Sequence, residues 1–290
     1  MSGTLQCMVC SGQRFSPLFT AKGYPIVRCA ECGFSQVQQI PSPEHLASLY
    51  ADLHNKHVAF RDTRAAQREN QSRVDFVRDH LPDGSHLLDA GCATGDFIEA
   101  AHSRFQMHGV DISEGAIALA RQRFPALSGR LRSVRLEDMS AEAASYDGIC
   151  LWDVIEHVPD PAFVIDRLMA LLKPGGILFL STPDMGSLAA RAMRRHWAFM
   201  IPPLHLGYFD RRSFRHLFKH RVPGELLDLR TRGKWTSVAF LFYKLGQIHR
   251  WLAPGWLMRR LQGSVVGKTN VYVPTNDILY IAVRKPGPTR

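Results

Sequence analysis

The stretch that decides the fold reads Leu88-Asp89-Ala90-Gly91-Cys92-Ala93-Thr94-Gly95-Asp96 and begins within a short apolar segment, residues 86–89. Glycine is needed where a backbone bends tightly or approaches a ligand closely. A helix that begins at Asp96 would also offer unpaired backbone N–H groups at its start. We therefore interpret this region as a strand, a nucleotide-binding turn and a helix. The turn alone does not distinguish one nucleotide cofactor from another.

Outward from this turn, short apolar strands alternate with short helices. The predicted strands cover residues 86–89, 107–110, 131–136, 148–152, 177–181, 226–229 and 278–283. The predicted helices cover residues 96–104, 114–123, 161–172 and 212–220. This alternation predicts a doubly wound α/β fold, with a Rossmann-like sheet of seven strands and helices on both faces.

Two carboxylates follow the turn at informative spacings. Asp111 lies 22 residues after Asp89, at the end of the second predicted strand, where an acidic residue can accept hydrogen bonds from ribose hydroxyls. Asp138 follows the third strand, where a carboxylate can accept from the adenine amino group. The alternatives are a helix-capping role for Asp111 and a solvated loop position for Asp138.

Three segments in this order resemble class I methyltransferases that use S-adenosylmethionine. Asp89–Gly95 is similar to their first motif, with Ala93 in place of a glycine often found there. The segment from Tyr146 to Pro161, which contains Trp152-Asp153-Val154-Ile155-Glu156-His157, is similar to the family's stretch around the fourth strand. Leu171-Leu172-Lys173-Pro174-Gly175-Gly176 is similar to the turn before the fifth strand, and together the segments span residues 85–182.

The resemblance implies roles for individual residues. Gly91 and Cys92 would pack on the methionine part of the cofactor, within the turn that Asp89 and Gly95 delimit. Asp111 would bind the ribose, Asp138 the adenine, and Trp152 would lie beside the methyl group. A dehydrogenase would use the same turn but does not typically share the Glu156-His157 segment or the Lys-Pro-Gly-Gly turn. A non-catalytic protein of this fold would have little need for the intact turn and Asp111.

The N-terminal segment, residues 1–40, carries two Cys-x-x-Cys pairs. Cys7 and Cys10 are separated by 18 residues from Cys29 and Cys32, which is the spacing of a zinc ribbon. Four protein ligands would close the coordination sphere, so the predicted role of the zinc is structural. The alternative is four reduced thiols without a metal. This usage of cysteine, the lack of a signal-peptide pattern and the lack of a long apolar run favour the cytoplasm.

Between this ribbon and the methyltransferase domain, predicted at 83–290, we expect a helical lid at residues 41–82. Its helices are predicted at about 43–54 and 62–80. A zinc-binding segment followed by the helix from Pro41-Ser42-Pro43 to Tyr50 resembles bacterial enzymes that modify sugars in polysaccharide or natural-product pathways. The chain lacks the further C-terminal domain of the larger sugar C-methyltransferases, which favours an oxygen acceptor.

A hydroxyl acceptor needs a base, and histidine suits that role near neutral pH. His205 lies in a stretch after the fifth strand that resembles one bordering the family's substrate pocket, and we predict it as the general base. His157, just after the fourth strand, is the second candidate. Either could instead be a structural histidine. Tyr50, His54 and His57 are weaker candidates at the same mouth.

Charge distribution bears on the partner. The chain carries a net charge of +10, and residues 191–290 hold 19 Lys/Arg against 4 Asp/Glu. This excess is either a solvated surface or a site for an anionic partner, such as a nucleotide- or lipid-linked sugar, RNA or an acidic membrane. An RNA methyltransferase with a zinc ribbon is the alternative function. The basic, aromatic insertion at about 232–270 is either a lid of the acceptor pocket or a peripheral membrane contact.

Overall fold

The structure is a computed structural model that describes residues 5–42, 45–46, 63–139, 145–248, 254–262 and 264–287. Two sheets organise this part of the chain, one of seven strands and one of four. The helix predicted at about 43–54 lies almost wholly outside the described residues. Tyr50, His54 and His57 also lie outside them. The lid helix predicted at 62–80 is present as α1, Thr63–Arg78.

The seven-stranded sheet confirms the predicted fold. Its strands are β4 (His86–Ala90), β5 (Gln106–Asp111), β6 (Leu131–Ser133), β7 (Tyr146–Trp152), β8 (Leu172–Pro183), β10 (Glu225–Ser237) and β11 (Asn270–Arg284). Their order across the sheet is β6-β5-β4-β7-β8-β11-β10. The first five run parallel, and β11 is antiparallel to both of its neighbours. The chain reverses direction across the sheet between β4 and β7, where such folds bind ligands beyond the carboxyl ends of their strands.

Helices cover the sheet as the alternation predicted. They are α2 (Asp96–Ala101), α3 (Glu114–Arg123), α4 (Pro161–Leu171), α5 (Leu188–Met193) and α6 (Arg211–His220). Local capping sets their starts, because Ser113 accepts from the Ala116 N–H at 3.2 Å and Asp160 accepts from the Phe163 N–H at 3.0 Å. Pro161 occupies the first turn of α4, where its missing N–H costs nothing.

The strand predicted at 131–136 is wrong in its second half. β6 ends at Ser133, and Leu136–Asp138 forms a 3-10 turn instead. β6 lies at the edge of the sheet and pairs on one side only, through Leu131 to Ser133. The chain then leaves the sheet, which puts Asp138 on a turn rather than at a strand end.

The small sheet has a member that the sequence did not reveal. Three strands come from the N-terminal segment, namely β1 (Phe15–Ala21), β2 (Tyr24–Cys29) and β3 (Ser35–Val37). The fourth, β9 (Gly207–Tyr208), comes from the methyltransferase region and pairs with β3. The N-terminal segment is therefore joined to the large domain by backbone hydrogen bonds close to His205.

The insertion is shorter than predicted. β10 and β11 are paired from Glu225 opposite Arg284 to Ser237 opposite Asn270. The strands predicted at 226–229 and 278–283 are therefore only the inner parts of a long hairpin. The helices α7 (Val238–Ile248), α8 (Gly255–Gln262) and α9 (Val265–Lys268) form its tip. None of the helices in the described part of the chain has the length and apolar character needed to span a membrane.

Candidate functional site

The glycine-rich turn leaves β4 at its carboxyl end. Gly91, Ala93 and Gly95 have φ values of +91°, +45° and +84°, so the backbone alternates between left- and right-handed conformations. The N–H groups of Gly91 and Cys92 both donate to the Val110 carbonyl, at 2.8 and 2.9 Å, which ties the turn to β5. These bonds fix the turn just beyond the carboxyl end of β4, where the fold binds its ligands.

Asp111 braces this turn at the end of β5. Its Oδ2 accepts from the Ala93 N–H at 2.9 Å, and its Oδ1 accepts from the Ser113 N–H at 2.9 Å. Each carboxylate oxygen retains a further lone pair for a ligand hydroxyl. Asp111 is partly exposed, so it lies where a ribose bound beyond the strand ends could reach it.

Asp89 and Cys92 lie beneath the turn rather than at its surface. Burial raises the pKa of Asp89 to about 7, an effect that the charge of Arg73 opposes and that of Asp111 reinforces. The Cys92 sulfur packs toward Gly109 in the core, so only its backbone faces the turn. These two residues therefore support the turn from below.

Trp152 and Asp138 occupy different surroundings. Trp152 is the last residue of β7 and is buried against the rings of Phe97 and Tyr280, at centroid distances of 5.3 and 5.8 Å. Its indole N–H finds no hydrogen-bond partner among the described residues. Asp138 is largely exposed on its 3-10 turn, 3.7 Å from the Arg135 guanidinium.

Asp153 and Arg73 form an ion pair that sequence reasoning missed. Asp153 follows β7 with φ +55°, and its carboxylate accepts from the Arg73 guanidinium and from the Ser181 hydroxyl at 2.8 Å. Burial would raise the pKa of Asp153, but Arg73 and Lys234 lower it below its ordinary value. Protein atoms surround Asp153 on most sides, but 46% of its side chain is exposed to solvent. The ionised carboxylate therefore faces a cleft.

Arg73 brings the lid helix α1 into the site. It donates to Asn70 at 3.2 Å and lies over the Trp152 ring at 5.4 Å. The Tyr280 hydroxyl donates to Glu69 on the same helix. The lid helix is therefore bound to β7 and β11 by a polar network at the carboxyl edge of the sheet. Only the segment around Asp153 carried a sequence signal for this network.

The two predicted bases come together. The rings of His157 and His205 meet edge to face at a centroid distance of 4.8 Å. His157 Nδ1 donates to the Leu204 carbonyl at 2.8 Å, which leaves Nε2 as its unprotonated nitrogen, whereas no described residue bonds Nδ1 of His205. Burial lowers the pKa of His157, and burial together with His157 lowers that of His205 well below the ordinary value. Both imidazoles are therefore neutral near pH 7.

Glu156 completes a cluster with these histidines. Each of the three side chains has a ligand atom within 4.8 Å of the other two, a set that is also able to hold a divalent cation. Burial and the neighbouring Asp153 raise the pKa of Glu156 to about 8, and the Thr182 hydroxyl donates to its carboxylate at 3.0 Å.

The four N-terminal cysteines converge as their spacing predicted. The Sγ atoms of Cys7 and Cys32, and of Cys10 and Cys29, lie 3.5 Å apart, and all four lie within 4.8 Å of one another. Ligands of a tetrahedral zinc with bonds of about 2.3 Å would be about 3.8 Å apart. The donor set and its spacing thus fit zinc without rearrangement.

The junction between ribbon and large domain holds a basic cavity of about 380 Å³. One wall is the β1–β2 turn, with Thr20, Ala21 and Lys22, and the other is the segment after α5, from Met193 to Ile201. Lys22, Arg195 and His196 surround its mouth, and Trp197 and Met200 form its buried floor. Among the causes that lower the pKa of His205 the charge of Lys22 is the smallest, and neither imidazole of the pair lines the cavity.

A second cavity, of about 330 Å³, lies at the other edge of the large sheet. His86 and Tyr146 line it at the amino ends of β4 and β7. It is therefore separated by the length of the strands from the glycine-rich turn and the histidine pair.

Comparison with known proteins identifies methyltransferases as relatives of this chain. The ubiquinone biosynthesis O-methyltransferase of Acinetobacter baylyi is 28% identical over 226 residues, which are 75% of this chain and 90% of that protein. Its counterpart in Leptothrix cholodnii is 33% identical over 153 residues, 50% of this chain and 64% of that protein. This chain spans about half the length of several further relatives of the same name.

A solved structure of a SAM-dependent methyltransferase from Thermotoga maritima aligns with a TM-score of 0.52. It covers 83% of this chain and 99% of its own, and at 16% identity the likeness concerns the fold. The profile of the family described as "Methyltransferase domain" matches residues 62–221, more than half of the chain. The chain therefore belongs to this family and is a class I methyltransferase that depends on S-adenosylmethionine.

Proposed function

We propose that the protein transfers the methyl group of S-adenosylmethionine to a hydroxyl oxygen of a small-molecule acceptor. The observation that carries this proposal is the pair of neutral imidazoles, the half-buried His157 and the buried His205, at the carboxyl edge of the sheet. In the reaction the acceptor oxygen forms a bond to the methyl carbon as the sulfur–methyl bond breaks. The hydroxyl proton passes to an imidazole, and the sulfonium becomes a neutral thioether.

Asp89, Gly91, Cys92, Gly95, Asp111, Asp138 and Trp152 are the proposed cofactor residues. The ionised Asp153 follows Trp152 in the chain, and its negative charge is balanced by Arg73 and Lys234.

His205 is the proposed general base. It is only 4% exposed, and its Nδ1 has no hydrogen-bond partner among the described residues, so we propose that this nitrogen takes the proton of the acceptor hydroxyl. His157 is the second candidate, through Nε2. A divalent cation held by Glu156 and the two histidines would act differently, by lowering the pKa of a bound hydroxyl.

The test of the base is a rate measurement. His205→Ala should lower turnover by roughly 10²–10⁴-fold, the usual effect of removing a general base, while cofactor affinity stays nearly unchanged. The apparent pKa of the acid limb in the pH profile of kcat/KM should lie below the ordinary imidazole value of about 6.5, because burial lowers the pKa of both rings. Turnover within about threefold of wild type would exclude His205 as the base and direct attention to His157. Loss of activity in chelator, restored by a divalent cation, would favour the metal route.

For the acceptor, we propose a sugar attached to a nucleotide or lipid diphosphate. The cavity around Lys22, Arg195 and His196 supports this choice, because cations at the mouth of an apolar pocket suit a phosphate group. A second candidate is an intermediate of ubiquinone biosynthesis, which the names of the relatives favour. RNA is the third class, supported only by the basic C-terminal region.

One panel of acceptors separates these classes. With methyl-labelled S-adenosylmethionine, a diphosphate-linked sugar should be labelled, and Lys22→Ala and Arg195→Ala should raise KM for it. Lys219→Ala, which removes an exposed cation on α6, is the matched control. Labelling of a ubiquinone precursor, or of an RNA transcript, without labelling of the sugar would refute the sugar assignment.

The N-terminal cysteines are proposed to hold one structural zinc. Their sulfurs lie at distances that fit tetrahedral coordination, and the set leaves no open position for a substrate. A thiolate site of this kind persists in a reducing compartment, which supports the cytoplasm as the location. The zinc would fix the β1–β2 turn, and with it Lys22, against the large domain.

A further inference from the structure

The tip of the β10–β11 hairpin, residues 238–268, differs in charge from the rest of the molecule. Between residues 229 and 276 the sequence contains no Asp or Glu. The same 48 residues contain eight Lys/Arg: Arg230, Arg232, Lys234, Lys244, Arg250, Arg259, Arg260 and Lys268. Such a long segment of one sign attracts anionic surfaces and repels other cationic ones.

The tip also exposes large apolar side chains. Trp256 is 61% exposed, and Val265 and Val266 are 86% and 63% exposed. On α7 the exposed rings of Phe240 and Tyr243 lie 6.1 Å apart. Single exposed apolar residues are ordinary, but several on one unit mark an interaction surface.

Helix α8 combines both features on one face. Trp256, Arg259 and Arg260 are spaced i, i+3 and i+4, so they share a face of the helix, and all three are exposed. Leu257, Met258 and Leu261 are half-buried and lie away from this face. This exposed face thus presents one aromatic ring beside two guanidinium groups, which can contact the head-group region of a bilayer and its anionic phosphates.

The hairpin carries the tip to the functional edge of the sheet. Ile278 of β11 pairs with Pro183 at the carboxyl end of β8, so residues 270–277 and their β10 partners extend beyond the strand ends. Lys234 and Arg232 on this extension lie over the rings of Phe199 and Tyr280. The tip is therefore on the same edge as Asp153 and the histidine pair.

We propose that the hairpin tip docks on an anionic lipid bilayer surface. Trp256, Val265 and Val266 enter the interface, and Arg259, Arg260 and Lys268 pair with lipid phosphates. A second copy of the chain fits this surface less well, because a symmetric contact would bring two acid-free faces of the same charge together. Nucleic acid would use the arginines but would leave the exposed valines without a role.

The experiment is sedimentation with vesicles of phosphatidylcholine alone or mixed with phosphatidylglycerol. Wild-type protein should bind the mixed vesicles, and added salt should weaken this binding. The double variant R259Q/R260Q should bind roughly thirtyfold more weakly, from about 1 kcal/mol per lost cation. The matched control R215Q/K219Q, which removes two exposed cations one turn apart on α6, should bind within about twofold of wild type.

A second variant separates the apolar contribution. Trp256→Ala should also weaken binding to the mixed vesicles, while the unfolding midpoint and cofactor affinity of every variant stay at wild-type values. Equal binding of R259Q/R260Q and wild type, or equal binding to both vesicle types, would overturn the proposal. So would a dimer in solution that Trp256→Ala abolishes, or binding to an RNA oligonucleotide in preference to the vesicles. None of these outcomes depends on which acceptor the enzyme methylates.

Discussion

Replacing Gly91 by alanine tests whether the glycine-rich turn is held against the segment after β7. At φ +91° the new methyl group would lie 2.5 Å from Cγ2 of Val154. The left-handed conformation alone costs an alanine roughly 1–2 kcal/mol. Overpacking in a filled interior adds about 1–3 kcal/mol. Gly91→Ala should therefore lower the free energy of unfolding by about 2–5 kcal/mol.

Gly84 provides the matched control, because its φ is +90° and nothing lies within 4 Å of an added methyl group. Gly84→Ala should cost only the conformational part, about 1–2 kcal/mol. Urea unfolding followed by tryptophan fluorescence measures both variants. In a double-mutant cycle, Val154→Ala should recover at least about 1 kcal/mol of the additional loss in Gly91→Ala, because the two sites touch.

The same change should weaken cofactor binding. Relief of the overlap must move the turn, and one misplaced backbone donor, worth about 1.5 kcal/mol, corresponds to about a tenfold loss in affinity. Calorimetric titration with S-adenosylmethionine should show this loss in Gly91→Ala and none in Gly84→Ala. If the two variants agree within about 0.5 kcal/mol in stability, the contact with Val154 does not constrain the turn.

Three further outcomes are expected. Burial raises the pKa of Asp89 from 3.8 in the unfolded chain to about 7, so between these pH values the folded protein binds one more proton than the unfolded chain. The free energy of unfolding should therefore fall as pH rises from 3.8 to about 7. Asp89→Asn should flatten this pH dependence in unfolding experiments at several pH values. Asp111→Ala should bind S-adenosylmethionine at least about tenfold more weakly in calorimetry, because a charged hydrogen-bond acceptor contributes about 1.5–3 kcal/mol. Unchanged affinity would show that Asp111 does not bind the ribose. Metal analysis should find one zinc per chain, lost in the double variant Cys29→Ser/Cys32→Ser, and zinc retained in that variant would contradict the proposed ligand set.

Local sequence determined the parts of this protein that depend on neighbours along the chain. The strand, turn and helix around Gly91–Gly95 follow from backbone geometry that only a few residue types adopt at low cost. The alternation of apolar strands with helices fixes a doubly wound sheet, since parallel strands need covered faces. The paired Cys-x-x-Cys spacings brought four sulfurs to one point, because each short turn already directs two thiols together.

Tertiary structure alone decided the contacts between residues far apart in sequence. His157 and His205 are 48 positions apart, and hydrogen bonds from the Leu206 N–H to the Glu156 carbonyl and from His157 to the Leu204 carbonyl hold their segments together, with the rings in contact. Arg73 has no motif, yet α1 places it against Asp153, 80 residues away. β10 and β11 continue beyond their predicted ends because each stabilises the other through cross-strand hydrogen bonds, a term that no local pattern contains.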